Sequence, residues 1–480
     1  MTNVNAASTE AHWLSGLATS MQDEHDYAPE VEGAIPLGLT GTLFRNGPGR
    51  FELGGVRKKH LLDGDGMIQA FDLDASHVRY RNRYVRTEKY IAEEAAGKLI
   101  FPTWTTRSPR GLLSNVGNRI KSQAGVTAVV KNNMLYAFDE VGLPYGLDPD
   151  TLQTLGQQAV GEPTARVDYK AHTKTDGHTG GWILLGVTYG RSMHLHIAEH
   201  NALGSLRFSQ RVPAPRSAYF HDWFATQHYI VVSLQPVQPS FARFLTGLDS
   251  FTDSMRWRPD KGNLLMVIDR NAVQPPVIIP APPTFMWHAL NAYEIGNSIV
   301  ADFVGYDAPD HFLGEHAAFR AIMDGRGGDQ NYSGTLRRYI INLSQRSAVE
   351  EIVSNENHEF PMIAPERGCT PHRYGYFTTA RGPTVFHNGL ARVDMNTGAR
   401  EVFHMGDKAH LGEPIFVPDP KVEDAEQGWL LSVGLDGATG RSFLAILRAD
   451  RIADGPIAVL RLRHPTPLSF HGWWKGQGHA

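Results

Sequence analysis

The chain has 480 residues, 41% hydrophobic and 20% charged, with a formal net charge of −4 and a pI near 6.6. This is the balance of a soluble globular protein, and the lack of a basic stripe or arginine-rich run argues against a nucleic-acid partner. A single cysteine, Cys369, excludes an intramolecular disulfide and fits a reducing, cytoplasmic setting, and no run of about 18 apolar residues offers a membrane span.

Taken in chain order, the opening "MTNVNAASTEAHWLSGLATSMQDEHDY" lacks the basic segment and apolar run of a secretory signal. Residues 1–30 read as an extension with a short helix. "GPGRFELGG" is glycine-rich but has no Lys-Ser/Thr for a phosphate loop. "LLDGDGMIQAF" offers Asp63 and Asp65 without the remaining positions of an EF-hand, so a tight turn is expected. Within 104–125, "RGLLSNVGNRIKSQ" sets Leu112, Leu113, Val116 and Ile120 beside Arg110, Arg119 and Lys121.

From residue 140 onward, short β-rich runs alternate with polar turns. "YGLDPDTLQTLGQQAV", "LHIAEHNALGSLRFSQRVP", "LLMVIDRNAVQPPVIIP", "RYIINLSQRSAVEEIV", "LARVDMNTGAREVFHM" and "LAILRADRIADGPIAVLRL" each read as a hairpin. Between the second and third lies "PSFARFLTGLDSFTDSMRWRP", with Phe241, Phe244, Leu245, Leu248 and Phe251 near helical spacing. The 104–125 and 236–260 stretches read as insertions that cap the fold. Apolar side chains beside Arg and Lys also suit loose contact with a membrane surface; the plainer reading packs those side chains inward.

After each hairpin comes a histidine or glutamate in an apolar frame: His172, His221, His288, Glu359, Glu413 and His471, with Glu140 preceding the first. Their separations of 32 to 71 residues are those of propeller blades carrying insertions. The expected fold is therefore all-β: one seven-bladed β-propeller over residues 1–480, with loops and short helices as a cap. Residues at one point of each innermost strand would converge on the axis, and four imidazoles with three carboxylates there form a metal site. His194 and His196 share a strand face but lie on a hairpin, away from the axis.

At these residues the sequence resembles the carotenoid oxygenase (carotenoid cleavage dioxygenase) family. The likeness covers nearly the whole chain, through "GTLFRNGPGRFELGG", "HLLDGDGMIQAF", "YRNRYVRTEKYIAEEAAGK", "GLPYGLDPDTLQTLG", "AHTKTD", "FHDWFATQHY", "WHALNAYE", "EFPMI", "GEPIFVP" and "FHGWW". The resemblance implies one Fe(II) per chain held by His172, His221, His288 and His471. It implies that Glu140, Glu359 and Glu413 accept hydrogen bonds from those ligands, fixing tautomers and balancing charge. It also implies the reaction: O2 adds across a conjugated C=C bond, which breaks to two carbonyl products without an organic cofactor.

The "RNGPG" and "GLPYGLDPDTL" forms look most like bacterial apocarotenoid-cleaving members. Two positions depart from them: Val126 stands where many carry Thr, and Asp139 where an aromatic residue is common. Stilbenoid- and phenylpropanoid-cleaving relatives tend to have Lys at the latter position, so Asp139 reverses that charge. Val126, Asp139, Tyr219, Phe220, Trp287 and Phe470 are the expected substrate-tunnel wall. A propeller hydrolase using Ca2+ or Zn2+ is the rival enzyme class, although four histidines suit Ca2+ poorly. A metal-free binding propeller would not need them. The expected partners are O2 and a hydrophobic alkene, with peripheral membrane contact and a monomeric state.

Overall fold

A computed structural model describes residues 12–117, 120–161, 167–313, 318–327 and 332–477. All six hairpins form; five are the outer pair of a blade, and outside the sixth lies one further strand, Glu30–Gly33. Tyr145–Leu147 pairs with Thr154–Gln157, His194–His200 with Leu206–Pro213, and Asn263–Asp269 with Val277–Ala281. Thr335–Asn342 pairs with Ser347–Ser354, Gly389–Asp394 with Arg400–His404, and Arg441–Arg448 with Pro456–Arg461. Among the described residues these six blades and the sheet built on Gly41–Arg50 make seven larger antiparallel sheets, the blades of a β-propeller, beside two small two-stranded ribbons.

The strand sequences explain this layering. Middle strands such as Trp182–Thr188 are packed on both faces by neighbouring blades and read as continuous apolar runs. Outer strands such as Ser347–Ser354 stay wet and carry acidic residues, which blunts an edge open to pairing. The core lies between blades. Ile183, Leu185 and Leu195 meet Trp223, Ile230 and Val232 between the third and fourth blades, and Leu43 and Phe71 meet Trp429, Leu431 and Leu444 between the first and seventh.

The ring closes at the first blade. Its innermost strand is His471–Gly476, paired with Gly41–Arg50 in a register running from Asn46↔His471 to Gly41↔Gly476. The N-terminal extension has its expected short helix, Trp13–Ala18, but it is also part of the ring. Asp26–Tyr27 adds an outer strand to the first blade and Glu30–Gly33 one to the seventh. Residues 1–11 of that extension lie outside the described residues.

Asp63 and Asp65 flank a turn, as expected, but both are buried. Asp63 accepts from the Thr105 amide and hydroxyl and the Thr106 hydroxyl. Asp65 takes Arg50 Nε at 2.9 Å, Lys89 Nζ at 2.6 Å and Lys58 Nζ at 3.4 Å, and Lys89 also meets Glu93. This network bolts the helix Glu88–Ala96 to the first blade.

The two cap stretches carry short helices, Leu112–Asn115 in the first and Phe241–Leu245 and Thr252–Ser254 in the second, which is framed by the paired strands Val237–Pro239 and Met255–Trp257. They meet through Gly117 N–H donating to Leu245 O at 2.7 Å and Thr252 N–H donating to Trp104 O at 3.1 Å. Phe241 and Phe244 are half-buried, against Tyr189 and Phe251 respectively. The exposed apolar side chains are Leu112, Leu113, Val116, Leu245 and Leu248. Arg119 lies outside the described residues.

Candidate metal centre

Four innermost strands bring the histidines to the axis. His172 sits in a bend between Asp168–Tyr169 and Lys174–Thr175, and His221 in the turn before Phe224–Ala225. His288 lies on Phe285–Ile295 where the register with its neighbour shifts between Met286 and Ala289, a bulge that re-aims the side chain. His471 begins the closing strand. One ring nitrogen from each lies within 4.8 Å of the others, and Nε2 of His172 and His221 are 3.0 Å apart.

Three carboxylates turn these rings. Glu140 Oε1 accepts from His221 Nδ1 at 2.9 Å, Glu359 Oε2 from His288 Nδ1 at 2.5 Å, and Glu413 Oε1 from His471 Nδ1 at 2.8 Å. Each Nδ1–H is thereby engaged, and each Nε2 presents its lone pair to the axis. Glu359 lies on the innermost strand Asn357–Met362 and Glu413 in the break between the innermost segments Ala409–Leu411 and Ile415–Pro418, so both occupy innermost positions. Glu140 does not: it follows the second strand of its blade, Met134–Phe138, and Val126 precedes the innermost strand there. Antiparallel pairing of Thr127 with Phe138 returns both to one end of the blade, so Glu140 still reaches the axis.

The electrostatics suit a cation. Burial, and the neighbouring imidazoles, hold His172 and His288 well below the usual imidazole range, in the neutral form a metal needs. Burial alone would raise Glu140, but Lys170 Nζ at 2.8 Å and His221 bring it down to about 2. Burial likewise opposes ionisation of Glu413, and His471 and the buried Arg45 outweigh it, lowering its pKa. Glu359 has no Lys or Arg partner among the described residues, and burial pushes it up to about 7. Buried His288 Nε2 finds no hydrogen-bond partner within the protein, which is what a ligand atom awaiting a metal looks like. A set of four imidazoles fits iron, zinc or copper.

Phe360 stacks on His288 at 5.1 Å from a left-handed backbone, φ +48°, immediately before Pro361. A non-glycine residue held there stores strain of order 1–3 kcal/mol, here at the edge of the site.

One side of the centre opens into an apolar cavity. Val126, Asp139, Tyr219, Trp287 and Phe470 line it as expected, joined by Trp104 and Phe312. Phe220 does not line it. Alternate residues of an extended segment face opposite ways, so Tyr219 and His221 face the cavity while Phe220 packs between blades with Trp223 and Val232. Asp139 is buried, accepting from Trp104 Nε1 at 3.2 Å and from the Gln123 and Glu140 amides at 2.8 and 2.7 Å.

Sequence reasoning missed the basic residues and a fourth acid. Lys170 and Lys174 stand two residues either side of His172, and that spacing was the available signal. Lys174 pairs with Asp222, directly after His221. Nothing in "GTLFRNGPG" distinguishes Arg45 as the partner of Glu413.

The axis of this propeller gathers four imidazoles, three of them braced by glutamates, in a group that could hold a metal ion beside an apolar cavity. Residues 18–476 match the family described as retinal pigment epithelial membrane protein, and the chain belongs to this family, the carotenoid oxygenases. It is 30% identical over 474 residues to the apocarotenoid-15,15'-oxygenase of Synechocystis sp., covering 96% of each chain. It is 27% identical to the lignostilbene-alpha,beta-dioxygenase isozyme III of Sphingomonas paucimobilis, again over 96% of each. A crystal structure of cobalt-substituted Synechocystis ACO superimposes with a TM-score of 0.90 at 29% identity, covering 97% of this chain and 98% of that one.

Proposed function

We propose that the protein is an Fe(II)-dependent dioxygenase that splits a conjugated C=C bond of an apocarotenoid or related polyene. The observation that carries the reading is the pairing of four converging imidazoles with an adjoining cavity walled by Trp104, Tyr219, Trp287, Phe312 and Phe470. One iron per chain would be held by His172, His221, His288 and His471. Bound there, it would supply the redox-active centre that O2 chemistry requires and that zinc lacks.

The protein's own groups do the rest. Glu140, Glu359 and Glu413 keep the Nδ1 protons, so the ligand nitrogens stay basic and fixed in direction. The aromatic wall excludes water and takes up the apolar chain of the substrate with its reacting double bond near the histidines. Overall, one O2 and one alkene become two carbonyl compounds: the C=C bond breaks and each carbon gains one oxygen atom, so no external reductant enters. Similarity to the lignostilbene enzyme supports a second reading, an aryl alkene as substrate by the same chemistry.

Substrate delivery follows from the cap. Leu112, Leu113, Val116, Leu245 and Leu248 are exposed where the two cap turns meet. We read this as a patch that rests reversibly on a membrane where a polyene would be dissolved. No helix among the described residues is long and apolar enough to cross a membrane.

The deciding experiment supplies iron-loaded protein with O2 and either an apocarotenal or a stilbene, with nothing else. The expected result is one O2 consumed per alkene and two carbonyl products, with the apocarotenal the better substrate. A strict need for a nicotinamide or a 2-oxo acid would refute the reading.

A further inference from the structure

We propose that Asp222 is the orienting carboxylate of His172, so that all four imidazole ligands, not three, have an acidic partner. The inference rests on the four-histidine metal site. Asp222 Oδ2 is 3.8 Å from His172 Nδ1, the only carboxylate oxygen within 4 Å of that nitrogen among the described residues. A ligand bound through Nε2 carries its proton on Nδ1 and needs an acceptor. Closing the gap by roughly half an ångström, or bridging it with a water, completes the hydrogen bond.

The surroundings of Asp222 match those of the acids already placed. Its side chain is 1% exposed. Oδ1 accepts from the Trp223 amide at 2.7 Å and from Lys174 Nζ at 2.8 Å, and Oδ2 from the Ala289 amide at 2.8 Å. Lys174 thus stands behind Asp222 as Lys170 stands behind Glu140 and Arg45 behind Glu413. Burying a carboxylate is costly unless a cation pairs with it, and Lys174 supplies that pairing. The positions also matter. Asp222 follows ligand His221, bonds the residue after ligand His288, and holds the lysine two beyond ligand His172. Trp223 Nε1 closes the loop by donating to His172 O at 3.0 Å. One side chain therefore ties three ligand-bearing segments into fixed relation. Asp222 is a positioning residue, acting through His172.

The test uses full-length protein loaded with Zn2+, a diamagnetic probe, and nitrogen-15-labelled at histidine. In the wild type, His172 Nδ1–H, assigned with a His172→Gln variant, should resonate far downfield and exchange slowly with solvent. In Asp222→Asn that signal should move upfield and exchange faster, while those of His221, His288 and His471 stay in place. Zinc affinity, measured by competition with a chelator, should fall about 10- to 100-fold. A purely structural role for Asp222 would not move one imidazole proton selectively. An unchanged His172 signal in the variant overturns the inference. If Asp222→Asn does not accumulate as folded protein, the wild type alone decides: slow exchange at His172 Nδ1–H supports the inference, and exchange as fast as free imidazole refutes it. Wild-type protein that binds no zinc would instead overturn the metal site itself, and this inference with it.

Discussion

His288 shows how much one side chain does here. Its Nε2 is buried without a protein partner and its Nδ1 is held by Glu359. His288→Ala should abolish metal binding and turnover, read by metal analysis and O2 uptake; full activity without bound iron would be incompatible with the site. The glutamates should separate by their counter-ions. Glu413→Gln takes the anion away from Arg45, whose side chain is 1% exposed, so the cost should appear twice. Metal affinity should drop about 10- to 100-fold. The metal-free protein should also lose about 3–5 kcal/mol, the usual cost of stranding one partner of a buried ion pair. Glu359→Gln, with no basic partner among the described residues, should weaken metal binding while leaving urea unfolding of the metal-free protein nearly unchanged. Equal destabilisation by both variants would contradict this account of Arg45.

At the scale of elements, the hairpins could be read because two signals agree in each: β-branched runs and a polar turn. The cap could not. Phe241, Phe244, Leu245 and Leu248 have helical spacing, but a helix of five residues gains too few hydrogen bonds to stand alone, and tertiary contacts set its course. The patch prediction therefore moves to exposed residues. Leu113, 87% exposed, and Leu245, 51% exposed, replaced together by Asp should cut liposome co-sedimentation several-fold with metal content and Tm unchanged. Undiminished liposome binding would sink the membrane reading. The Asp65 network was equally hidden, because "DGDG" looks like an ordinary turn. Asp65→Ala leaves Arg50, Lys58 and Lys89 short of their shared anion and should cost about 3–5 kcal/mol in chemical denaturation, with little change in metal affinity.

For the molecule as a whole, the architecture and the convergence of four histidines and three glutamates could be read because a repeat places equivalent residues on one axis. The sequence periodicity could not show which residues brace those positions from behind, because Lys174, Asp222 and Arg45 meet them across blades rather than along the chain. The whole fold also carries an acid liability. Burial pushes His372 down to about 4, His387 to about 3 and His410 to about 4. The unfolded chain takes up protons near pH 6.5 while the folded one resists, so stability is full above that pH and falls as pH drops toward 4. By pH 5 each histidine costs roughly 2 kcal/mol. The thermal midpoint of metal-free protein should fall steadily between pH 7 and pH 5; a flat profile would show that these histidines are not buried neutral.

The seam of the ring has a mechanical consequence. Gly41 and Gly476, paired at one end of the closing strands, are where the chain enters and leaves the seam. A pull between those points would load the pairs one after another, as a zip opens, instead of all together in shear. The peeling would begin at Gly41↔Gly476 and arrive last at Asn46↔His471. There it would meet His471, a metal ligand on the proposed function. In a single-molecule stretching experiment the tail should peel at low force as far as His471 and then stop, at a force set by the bound metal.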